Sequence, residues 1–92
     1  MELKYIRGRY GFAIFDAGQS HADMARGMHE KPESAGFCTV AVGYRRIELD
    51  DGGLGEEEQF VNVHCFGESM TLKLKSREED GEEIEHEINN YY

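Results

Sequence analysis

The sequence predicts an α+β fold, a single domain over residues 1–92 with an antiparallel sheet of about four to six strands, one short helix and a C-terminal helix. Three observations predict it. Apolar and polar residues alternate through several stretches rich in β-branched and aromatic side chains, the pattern of half-buried strands. Asp50-Asp51-Gly52-Gly53 separates two such stretches, and Asp-Gly supplies the positive φ that a hairpin needs. Two segments open on a serine followed by helical spacing, one near residue 20 and one near residue 76.

Taken in order, residues 2–7 alternate loosely, and Gly8 is a bend or bulge before a strand over Arg9–Phe15. Asp16–Gln19 reads as a turn. Ser20 then N-caps a helix of about two turns carrying Met24 and Met28, with Asp23 in its first turn and Lys31-Pro32 ending it. Ala35–Tyr44 is a strong strand in which Gly43 marks a bulge or turn, continued by Arg45–Leu49. A loop over Asp50–Gly55 leads to the return strand Gln59–Phe66, the clearest hairpin in the chain. Gly67-Glu68 turns the chain, and Met70, Leu72 and Leu74 alternate with Thr71, Lys73 and Lys75. Ser76-Arg77-Glu78-Glu79 matches a capping box, which places Ser76 at the N-cap of the last helix. Ile84, Ile88 and Tyr91 give that helix one apolar stripe, and Gly81 is its weak point. Both helices are expected against one face of the sheet.

Charge is the dominant global feature. The chain carries 19 acids against 10 lysines and arginines, for a net charge of −9. Residues 48–58 and 76–92 hold 13 of those acids with one base, Arg77, so the molecule should have an acidic side. That balance disfavours direct binding to nucleic acid or to an anionic membrane, both of which are polyanions. Residues 1–7 lack a continuous apolar run, and no stretch approaches the roughly 20 apolar residues of a membrane span. With only two cysteines, Cys38 and Cys65, the expected compartment is the reducing cytoplasm, with both residues as thiols and no disulfide.

Candidates for chemistry are few. His21 and Asp23 are expected as solvated first-turn residues, because nothing in the sequence supplies a nucleophile or pocket for them. His64 and Cys65 are strand neighbours and point to opposite faces, so they cannot easily share a metal ion or form a nucleophile–base pair. The chain is therefore read as having no cofactor, no metal and no enzymatic activity. Arg7, Arg9, Arg45 and Arg46 interleave with Tyr5, Tyr10 and Tyr44, a combination that can bind single strands or serve as charged edge protection; the net charge favours the second. The acids remain. Glu56, Glu57 and Glu58 form a loop cluster, and Glu78, Glu79, Asp80, Glu82, Glu83 and Glu87 form a helix cluster. These are the expected partner-binding residues, acting as ordered carboxylates that imitate a row of phosphates in a basic groove. The alternative is a solvated face that serves solubility alone.

Gly11-Phe12-Ala13-Ile14-Phe15, His21-Ala22-Asp23-Met24-Ala25-Arg26, Ser34-Ala35-Gly36-Phe37, Cys65-Phe66-Gly67-Glu68-Ser69 and residues 72–80 resemble a family of small proteins of bacterial genomes, phages and plasmids. The resemblance covers about half of the chain and brings no catalytic residues. It implies a mobile-element setting inside a bacterial host cell. There, small acidic proteins inhibit defence complexes of the CRISPR type, and the partner would be a basic nucleic-acid-binding host protein or complex. The other function class is a small regulatory or structural subunit that forms a homo-oligomer through an exposed strand or through the Tyr91-Tyr92 end.

Overall fold

Tyr5 and Ile6 are adjacent in the sequence and both fully buried, which in a strand requires cover on both faces of the sheet. The computed structural model, which describes residues 2–91 without the Tyr91 side chain, shows that cover. Strands β1 (Glu2–Gly8), β2 (Phe12–Phe15), β3 (Pro32–Glu48) and β4 (Leu54–Phe66) form an antiparallel sheet in the order β2-β1-β3-β4. Helix α1 (His21–Arg26) lies between β2 and β3 in the chain. Strands β5 (Glu68–Ser69) and β6 (Leu74–Lys75) make a second small sheet, and helix α2 (Asp80–Tyr91) follows. The fold is α+β, as the alternation and the turns predict. The Tyr91-Tyr92 end falls outside the described side chains.

The two helices cover opposite faces, not one. Ile84 and Ile88 of α2 pack with Tyr5, Cys38 and Val63 on one face. Met24 and Ala25 of α1, with Leu72 and Leu74, pack with Ile6, Phe15 and Ala35 on the other. Strand parity explains this, because β1 has apolar residues at both parities and so needs two layers.

Local chemistry sets the ends of each element. The Ser20 hydroxyl accepts the Asp23 amide at 3.0 Å, so this cap lies where the sequence puts it. The helix stops at Gly27, ahead of Pro32, which instead opens β3. A register shift falls at Arg7/Gly8, the expected bulge. Gly43 is neither bulge nor turn: it sits within β3, and the Phe60 ring of the facing strand occupies the space a side chain there would take. At the hairpin tip Gly52 has φ +83°, the left-handed position after Asp50-Asp51.

The last helix begins later than the capping box predicts. Ser76 is not its cap. The Asp80 carboxylate reaches back to accept the Arg77 amide at 3.0 Å, so Asp80 takes the part expected of Glu79 one residue on. Gly81 is a close approach and not a weak point, since a Cβ there would lie 2.5 Å from the Val63 carbonyl oxygen.

The molecule is long for its mass, with extents of 52 × 25 × 21 Å and a radius of gyration of 15.5 Å. A compact chain of this length would have about 12 Å. The difference comes from the β3–β4 hairpin. Among the described residues strand β1 pairs with β3 only as far as Glu2↔Thr39, and the polar bonds from α2 end at Val61, so the hairpin beyond them projects as a two-stranded arm.

Candidate protein-interaction surface

The acidic face of α2 rests on a buried polar anchor. Asp80 is fully buried at the start of the helix and accepts three hydrogen bonds: from the Tyr5 hydroxyl at 2.5 Å, from Arg7 at 3.0 Å and from the Arg77 amide. Burial alone pushes its pKa up. The bonds from Tyr5 and the Arg77 amide, with Ser34 and Arg7 beside them, outweigh burial and hold the carboxyl below its ordinary value. Tyr5 is driven strongly upward by its own burial and then by the carboxylate it faces. Asp80 therefore cannot be among the partner-binding residues, because it is spent inside the protein pinning α2 to β1. The sequence reading grouped it with its exposed neighbours, since a charge run does not reveal which member turns inward.

The other helix acids do face outward. Glu82, Glu83 and Glu87, with His86, line a shallow groove of about 450 Å³. Arg7 also lines it and pairs with Glu83 as well as Asp80, so one acid of the row is partly neutralised. Glu78 and Glu79 are exposed in the turn just before the helix. Helical spacing brings Glu82, Glu83 and Glu87 along one side, and the Asp80 anchor fixes the start of the helix that carries them.

Glu56, Glu57 and Glu58 belong to a different element and are not in a loop. All three lie in strand β4, on the arm. Glu58 pairs with Arg45 at 2.5 Å and Glu57 with Arg46 at 3.9 Å, each directly across the ladder. Arg45 also lies 5.6 Å from the Phe60 ring centre. The four arginines of the sequence reading are thus spread over two places: Arg7, Arg45 and Arg46 are matched to carboxylates, and Arg9 lies over the Tyr10 ring. Of this acid cluster only Glu56 has no ion pair among the described residues.

Two polar residues with clear roles were not visible as such in the sequence. Asn89 both accepts the Val61 amide at 2.9 Å and donates to its carbonyl at 3.1 Å, and Glu85 accepts the Val63 amide. The side chains of α2 therefore imitate a strand and close the outer edge of β4 at Val61 and Val63. Their only sequence signal is the i, i+4 spacing of Glu85 and Asn89 beside the Ile84/Ile88 stripe.

The histidine and cysteine candidates are engaged in packing and hydrogen bonds. His21 is buried, not solvated: its Nε2 lies 2.8 Å from the Gly36 carbonyl and its ring meets Phe15 and Phe37 edge-on. Asp23 is exposed and pairs with Arg26. His64 stacks on Phe66, while Cys65 packs on the opposite face against the Tyr5 cluster, so the two do diverge. Cys38 and Cys65 face each other across β3 and β4 as thiols. Burial raises both, and with the nearby Cys38 and Asp80 it pushes Cys65 up to about 12. Among the described residues no three His, Cys, Asp or Glu side chains come together in a way that would hold a metal, and no helix is long and apolar enough to cross a membrane. Comparison of the chain with protein-family models, with curated proteins and with solved structures finds no match.

Proposed function

We propose that the chain is a non-enzymatic interaction module that presents the acidic side of α2 to a basic protein surface. The observation that carries this reading is the row Glu82, Glu83 and Glu87 on a helix whose start the buried Asp80 anchors, with Glu78 and Glu79 exposed just before it. Carboxylates held in place lose little freedom on binding, and their field speeds encounter with a cationic groove. In the mobile-element setting that the sequence resemblance implies, the partner is a nucleic-acid-binding host defence protein, and occupancy of its groove blocks nucleic acid.

The test is a triple reversal, Glu79→Lys, Glu82→Lys and Glu87→Lys, which spares the Glu83–Arg7 pair. Exposed charges add little to folding, so the variant should keep the parent's circular dichroism spectrum. The parent, immobilised, should capture a nucleic-acid-binding protein from bacterial lysate and displace nucleic acid from it. Its affinity for that protein should fall about tenfold or more on going from low to moderate salt, while the variant should bind weakly at any salt. Equal binding by parent and folded variant would overturn the reading.

A second reading is a regulatory or structural oligomeric subunit whose acidity serves only solubility. One observation favours it, the apolar surface that the arm leaves open: Val42, Tyr44, Ile47, Leu49 and Leu54 are all exposed.

A further inference from the structure

We infer that the edge of β3 from Val40 to Glu48, which no described strand covers, receives a second copy of this chain, joining two four-stranded sheets across a two-fold axis. The inference is independent of the acidic-surface reading and rests on backbone direction, surface area and register.

Backbone direction comes first. The amides of Val61 and Val63 are taken by α2, so they point away from β3. Val42 and Val40 stand directly opposite them, and in an antiparallel ladder such a pair points outward on both strands. The polar groups of Val40, Val42, Tyr44 and Arg46 therefore face the side on which β1 ends, opposite Thr39. The β4 edge is closed at Val61 and Val63 by Asn89, Glu85 and the close approach at Gly81; further out on the arm it carries the consecutive acids Glu56, Glu57 and Glu58, which would oppose a second copy, and the β2 edge is only four residues long. Among the described residues nothing covers the distal edge of β3: its side chains Val40, Val42 and Tyr44 are apolar and exposed, and Arg45 and Arg46, the charges expected to guard it, are matched to Glu58 and Glu57 of β4.

Surface area agrees. The chain exposes 6666 Å², where a monomer of 10.5 kDa is expected to expose about 5,400 Å². The surplus, about 1,200 Å², exceeds the roughly 800 Å² that each partner contributes to a standard interface.

Register selects the occupant. The open segment is its own complement when the axis passes through Tyr44. Val40 then meets the partner's Glu48, Val42 meets the partner's Arg46, and the two Tyr44 residues meet each other. No like charges are opposed. This register spans Val40 to Glu48, the part of β3 that no described residue of β1 pairs with. The irregularity between Arg46 and Glu48 leaves the edge intact, because two steps along β3 match three along β4 (Glu57 to Leu54), which puts the extra residue in β4. Glu57 and Glu58 sit one strand further out and are paired within their own arm.

Sedimentation over a wide concentration range tests this, with hydrogen exchange read at single amides. The parent should approach twice 10.5 kDa as concentration rises. The amides of Val42 and Tyr44 should gain at least tenfold protection between the dilute and concentrated samples. Val42→Pro removes an outward amide that β4 does not use, and Tyr44→Lys sets two like charges together on the axis. Each should raise the dimer dissociation constant at least tenfold with the monomer spectrum unchanged. The Glu79, Glu82 and Glu87 reversal should leave the dimer mass as in the parent, which separates this result from the acidic-surface test. A parent that stays monomeric at every concentration would overturn the inference. So would a dimer that persists in a folded edge variant, or one in which those two amides gain no protection.

Discussion

Replacing Asp80 by Asn keeps the shape of the side chain and removes its charge and one acceptor oxygen. In the parent, Oδ2 accepts both the Tyr5 hydroxyl and the Arg77 amide, while Oδ1 accepts Arg7. Either orientation of the amide turns an NH₂ group toward a buried donor, so at least one of these bonds is lost with nothing to replace it. Breaking a buried pair by removing one partner costs about 3–5 kcal/mol. Arg7 keeps Glu83 and some solvent, which puts the expected cost near the low end, about 3 kcal/mol. For a domain of this size that corresponds to a fall in Tm of about 12–24 °C. The Asp80 carboxyl is held below its ordinary value in the folded state, so its contribution is present above the unfolded pKa of about 4 and is lost as pH falls through the lower folded value. The parent should therefore lose stability in acid more steeply than Asp80→Asn. Thermal melts of both proteins from pH 7 down to pH 3 measure this. An Asn variant melting within a few degrees of the parent at pH 7, with an equal acid slope, would refute the anchor.

Gly81→Ala should lower Tm by several degrees, although the same change in an open helix would be favourable. The added Cβ would press on the Val63 carbonyl, and the helix would have to move off β4, as melting curves would show. Cys38 and Cys65 should resist alkylation at pH 8 in the folded protein and react at ordinary rates in denaturant, because raised pKa values and burial both withhold the thiolate. Mass spectrometry of timed samples counts the modified thiols.

The sheet, the first helix cap and the hairpin were legible because each rests on local signals: alternation, a serine at the right spacing, and Asp-Gly at the tip. What the sequence concealed was tertiary. Nothing local distinguishes Asp80 from Glu79 or Glu82, and only the position of Tyr5 and Arg7 on β1 selects it as the inward acid. His21 resembles a solvated first-turn residue until α1 is laid on the face that carries Phe15 and Phe37. Glu57 and Glu58 sit near a glycine-rich tip, and charge masked the strand they belong to. Of the two acid clusters the sequence marked, one remains as an exposed face apart from Asp80, and two of the three acids of the other are paired with Arg45 and Arg46.

The use of Asn89 and Glu85 as a substitute strand has a consequence for the order of synthesis. The chain emerges N-terminus first, so β4 is complete before α2 exists. At ribosomal rates the interval between Phe66 and Asn89 is about 1–5 s. Until Asn89 has been added, the full set of α2 side chains that takes the Val61 and Val63 amides does not exist, so this stretch of the β4 edge cannot be closed earlier. A chain cut between residues 66 and 84 would therefore leave these two amides unpaired beside an apolar face, so α2 shields the very sheet on which it rests.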